Sequence, residues 1–115
     1  MKVPKGMYRW TIPLYGGTIF FTTSPKVYRA AVRQFDEPDE EDLGGGRTLW
    51  VMPDSGLPII IVGVFSGRMS TLSHELNHAT LFILKHVGID PHSSDGEPLC
   101  YLQAAMIDQF ESRLT

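Results

Sequence analysis

The run STLSHELNHATLFILKHVG, residues 70 to 88, constrains the fold more than any other part of the chain. At about 100° per residue, Leu72, Leu76, Ala79, Ile83 and Val87 fall within about 80° of one another, so the run reads as a long amphipathic helix with that stripe packed on a sheet. Ser70 is placed to act as N-cap, with Ser73 at N3, and Gly88 suits the left-handed residue that closes a helix.

The opposite face carries His74 and His78, one turn and about 40° apart, together with Leu81 and Lys85. Two imidazoles at i and i+4 can direct ring nitrogens at a common point, which is what a tetrahedral Zn2+ asks of its first two ligands. Glu75, beside His74, would reach the ion's water rather than the ion, so its natural role is general base. The bland alternative, two ordinary histidines in a chance H-E-x-x-H, is opposed by the helical phase, the Ser70 N-cap and the terminal glycine, which agree with the motif independently.

Zinc needs a third protein donor. Glu97 follows His78 with 18 residues between them, in a segment where Asp95, Gly96, Glu97 and Pro98 make a helix start. Leu99, Leu102, Met106 and Phe110 then recur at helical spacing, so Glu97 sits in the first turn of a second helix that a turn after Gly88 can bring back across the first. His92, in the intervening loop, is the competing donor. His86 points about 120° away from His74 and reads as structural or exposed. Cys100, inside the second helix, reads as a small buried hydrophobe, and Asp108 as too far along that helix.

The remaining segments supply the sheet. YRWTIPLYGGTIFFTT suggests two strands around Gly16 and Gly17, and RTLWVMPDSGLPIIIVGVF a second hairpin turning at Pro53 to Gly56. The arm IIIVGVF is apolar on both faces, hence central or covered by a helix, with Gly63 a candidate bulge. Ser24 and Pro25 open a short helix over about 25 to 35. Residues 36 to 46, DEPDEEDLGGG, combine acidic and glycine runs and are expected to form a mobile, solvated surface loop, the functional alternative being an acidic partner-binding or cation-attracting segment.

At 115 residues and 43% hydrophobic content the chain is expected to form one domain over residues 1 to 115. A net charge of −3 gives no reason to expect nucleic acid or an anionic membrane as partner. The N-terminus lacks an apolar signal core, IIIVGVF is too short to span a bilayer, and the lone Cys100 fits a reducing compartment, so the expected location is cytoplasmic.

His74-Glu75-x-x-His78 followed by Glu97 resembles the gluzincin group of zinc metallopeptidases, which includes thermolysin-like proteases and zinc aminopeptidases. LSHELNHATLFILKHVGI with GEPLCYL is especially similar to small H-E-x-x-H proteins of tailed-phage genomes. A histidine and glycine spacing of the metzincin kind is absent, since Leu81 and Leu84 occupy those positions. The resemblance implies an α+β minimal zincin: a small, mostly antiparallel sheet, the metal helix, and a following glutamate-bearing helix. It implies Zn2+ held by His74, His78 and Glu97, with Glu75 activating water against a peptide or protein substrate that pairs with a strand somewhere in residues 57 to 66. In a phage-encoded protein the location would be the host cytoplasm. Thermolysin-like enzymes place an aspartate where this chain has Tyr101, which could instead orient a ligand or donate to an oxyanion, or be a half-buried core tyrosine.

With so little sequence after the second helix, the expectation is that either the cleft is shallow and open, the domain works on a bound partner, or proteolysis has been lost and only a metal-stabilised fold remains. The leading function is therefore zinc-dependent peptide hydrolysis. The alternatives are a non-catalytic module whose zinc fastens two helices, and a zinc hydrolase acting on a non-peptide substrate such as RNA.

Overall fold

The computed structural model of the chain describes residues 5 to 114 except Asp36, Asp39 and Ser55. Its elements run β1 (Tyr8–Thr11), β2 (Thr18–Thr22), α1 (Pro25–Gln34), β3 (Gly46–Val51), β4 (Ile59–Val64), α2 (Met69–Val87) and α3 (Glu97–Phe110). Short 3-10 turns, Ser93–Gly96 and Glu111–Arg113, flank α3.

Both expected hairpins form: β1 pairs antiparallel with β2, and β3 with β4. They are joined through a parallel pairing of β2 with β4, giving a mixed four-stranded sheet in the order β1-β2-β4-β3. A parallel pair needs a crossover connection, and α1 lies within the link between β2 and the second hairpin. The arrangement is an α+β fold of one mixed sheet and three helices.

The α1 start follows the sequence closely. Ser24 has extended backbone, its Oγ accepts from Val27 N at 3.2 Å, and Pro25 occupies the first turn. The helix buries Tyr28, Ala31 and Val32 with Leu43 against Ile61 on one face of the sheet. On the other face, α2 and α3 enclose Ile60, Val62 and Val64 with Leu72, Leu76, Ala79 and Ile83. β4 is thus covered on both sides, as its uninterrupted apolar run requires.

Gly63 is not a bulge. It stays in register with Thr22 and Arg47, and a side chain there would stand 2.4 Å from Phe65 Cζ and 2.9 Å from Tyr28 Cδ2. The glycine makes room for two aromatic rings in edge-to-face contact.

Ser70 is not the N-cap of α2, because the helix starts at Met69 with Arg68 in the capping position. Ser66 organises the entry instead: its Oγ accepts from Arg68 N at 3.1 Å and contacts Thr71 Oγ1 at 2.8 Å. At the other end Gly88 adopts φ 77° and closes the helix as expected. Val87 is the stripe member left partly exposed. Thr80 and Leu84 are buried in addition, because α2 packs on α3 as well as on the sheet; Thr80 Oγ1 donates to Leu76 O at 2.8 Å and lies 3.4 Å from Met106 Sδ.

In α3 the stripe Leu102, Met106 and Phe110 is buried, and Phe110 stacks on Phe21 with centroids 5.0 Å apart. Cys100, about 100° round the helix from Leu99, is exposed rather than buried, correcting the sequence expectation.

The acidic segment is also more constrained than a free loop. Arg29 donates to the carbonyls of Glu40 and Glu41, Arg47 pairs with the Glu40 carboxylate and donates to Asp42 O, and Leu43 is buried. Glu40, Glu41 and Asp42 stay exposed while their backbone carbonyls are tied to side chains of α1 and β3. Among the described residues, no helix is long and apolar enough to cross a membrane.

Candidate metal centre

His74 and His78 project from the first half of α2 and are exposed. Their Nε2 atoms lie 3.2 Å apart and their ring planes are inclined by 78°. Two nitrogens this close could both reach a single ion such as zinc. Two neutral rings can also share an N–H···N hydrogen bond at this distance.

Glu75 turns the other way, into the angle between α2 and the edge strand β3, and is 7% exposed. Its Oε1 accepts from Thr48 Oγ1 at 2.7 Å, and Thr48 Oγ1 also lies 3.1 Å from the Glu75 carbonyl oxygen. The helix comes this close because residue 46 is glycine. A recess of about 330 Å³ joins these groups, with Gly46, Arg47 and Thr48 on the strand side and His74, Glu75, His78 and Phe82 on the helix side. Phe82 stacks on Trp50 of β3, centroids 5.2 Å apart, closing the C-terminal end of the recess.

The third donor is not gathered. Among the described residues no group of three His, Cys, Asp or Glu side chains could hold a metal ion. Glu97 does occupy the first turn of α3, but it is exposed. Where α3 touches α2 beside His74, the contact is made by Gln103, whose Nε2 donates to Ser73 O at 3.2 Å. The start of α3 lies further along α2: Gly96, Leu99 and Cys100 share a recess with Asn77 and Leu81. The exposed His92 lines that same recess, on the α3 side of the histidine pair.

Tyr101 is 74% exposed and lines a separate apolar recess with Pro13, Leu14 and Tyr15. It stands about 200° round α3 from the core position Leu99, so it neither meets the histidines nor packs as a half-buried core residue. His86 and Asp108 are exposed. The strand expected to receive an extended substrate, within residues 57 to 66, is β4, whose two edges are already paired with β2 and β3. The edge beside the histidines belongs to β3.

Sequence reasoning missed Thr48, Gly46 and Arg47, all on β3. The signal available for them was weak: a small residue and a hydroxyl at alternate positions of a strand, on the face opposite Leu49.

The chain matches no protein-family profile, no curated protein and no solved structure.

Proposed function

We propose that the protein is a zinc-dependent hydrolase of peptide bonds built on a minimal zincin fold, with His74 and His78 as the first two ligands and Glu75 as general base. The observation that carries this reading is the 3.2 Å separation of two Nε2 atoms on a helix that also holds the intervening glutamate, buried and directed into the adjoining recess. The chemistry zinc supplies when bound is Lewis acidity, which brings the pKa of a coordinated water to about 7 and polarises a carbonyl. Glu75 takes a proton from the attacking water and returns it to the leaving amine.

Glu97 is the third donor in this reading. It is exposed and about 160° round α3 from Leu99, so it does not itself line the recess that Gly96, Leu99 and Cys100 share with Asn77. Serving as a ligand takes a movement of the Ser93–Gly96 turn together with the start of α3. The outer edge of β3 offers an extended substrate backbone its hydrogen-bonding groups beside the histidines.

One observation favours a second reading. A pair of histidines without a gathered third donor also suits a non-catalytic module in which zinc fastens two surfaces together. Glu75→Gln separates the two. Zinc-loaded wild type should cleave members of a peptide and casein panel, and the variant should keep its zinc and lose that cleavage. Hydrolysis retained by the variant contradicts the mechanism, and cleavage of RNA alone in the same panel replaces the substrate class.

A further inference from the structure

Thr48 lies on β3 in register with Val62 of β4, and the strand's alternation places it on the α2 face between Gly46 and Trp50. Its hydroxyl is the one described side-chain partner of the Glu75 carboxylate, at 2.7 Å, across 27 positions of sequence. The contact is well fixed on both sides. Threonine is stiff at χ1, so the oxygen has little freedom of direction. Glu75 is buried, and a side chain at residue 46 would collide with Glu75 Cγ at 3.0 Å and Thr71 Cγ2 at 2.7 Å, so the glycine there lets the helix settle onto the strand.

A hydroxyl donating to a carboxylate makes a strong, charge-assisted hydrogen bond. A carboxylate held through Oε1 keeps its second oxygen for other work. We infer that Thr48 is the positioning residue of the site, holding Glu75 by Oε1 so that Oε2 is the oxygen free to take a proton. The inference rests on the hydrolase reading above and adds an edge-strand residue to it.

Thr48→Val keeps the shape and removes the donor, and Thr48→Ser keeps the donor and removes a methyl group. With zinc-loaded protein on the same peptide panel, kcat should fall at least about tenfold in Thr48→Val, with KM and zinc content unchanged, and Thr48→Ser should recover most of the loss. Thr48→Ala takes the place of the valine variant if that variant does not fold, with the same expected direction. Wild-type turnover in the donor-less variant, or equal losses in the valine and serine variants, overturns the inference while leaving the hydrolase reading intact. A zinc-loaded wild type that cleaves no peptide overturns both.

The contact is also read without turnover. In zinc-free protein the side-chain carboxyl 13C resonance of Glu75 should move in Thr48→Val and stay in place in Thr48→Ser. An unmoved resonance in Thr48→Val overturns the inference on its own.

Discussion

Gly46 of β3 sits directly against Glu75 of α2: a methyl group on Gly46 would stand 3.0 Å from Glu75 Cγ, with Thr71 Cγ2 at 2.7 Å and the carbonyl oxygen of Gly63 at 3.0 Å. Two of those neighbours belong to α2 and the third is backbone, so the crowding cannot be relieved by one flexible side chain. Gly46→Ala should therefore lift the start of α2 from the sheet edge and cost about 1–3 kcal/mol, measured by urea unfolding. Unchanged stability would show that α2 is not seated on β3 as described.

The cap of α1 gives a test of local structure far from the histidines. Ser24 Oγ accepts from Val27 N, so Ser24→Ala should lower stability by about 1 kcal/mol, and Ser24→Asp should restore most of it. Equal stability of the alanine variant would mean that the helix start is held by Pro25 and tertiary packing alone.

Tyr28 makes stability depend on alkaline pH. Burial raises its phenol above the ordinary range, with Glu40 and Glu75 raising it further and Arg47 opposing them. The folded state therefore holds the phenol proton more tightly than the unfolded chain does. Its stabilising share is complete below about pH 10, the ordinary tyrosine value, and declines above it by about 1.4 kcal/mol per pH unit until the folded group itself ionises. Urea unfolding of wild type and Tyr28→Phe between pH 9 and pH 11 (values set about the ordinary pKa) should show a shallower decline in the variant. Parallel curves would contradict the assignment.

Much of the fold was legible because it is local. The Ser24-Pro25 start, the two hairpins and the Leu72, Leu76, Ala79, Ile83 stripe each follow from residues within a few positions of one another. The parallel joining of the hairpins is a long-range pairing that no short motif encodes. The entry to α2 is not legible in the motif because Ser66 acts from before the helix, at Arg68 N, whereas Ser70 lies inside the first turn.

The candidate site divides along the same line. His74, Glu75 and His78 share one helix, so their arrangement follows from spacing. Thr48 reaches Glu75 from another element, which spacing cannot reveal. The placement of Glu97 depends on the turn before α3, where Ser94 and Asp95 take φ of 51° and 57°, values uncommon for residues other than glycine, and on the Gln103 contact with Ser73. The exposure of Tyr101 was legible in principle: it lies opposite the Leu99, Leu102, Met106, Phe110 stripe on a helical wheel.

The proposed zinc site on the histidine pair of α2 is tested most directly by zinc content from elemental mass spectrometry after reconstitution near neutral pH, in wild type, His78→Ala and Glu97→Ala. About one zinc per wild-type chain is expected, with little in His78→Ala and weakened retention in Glu97→Ala. A folded wild type that holds no zinc would contradict it and reduce the 3.2 Å approach of the two rings to a hydrogen bond on a helix surface.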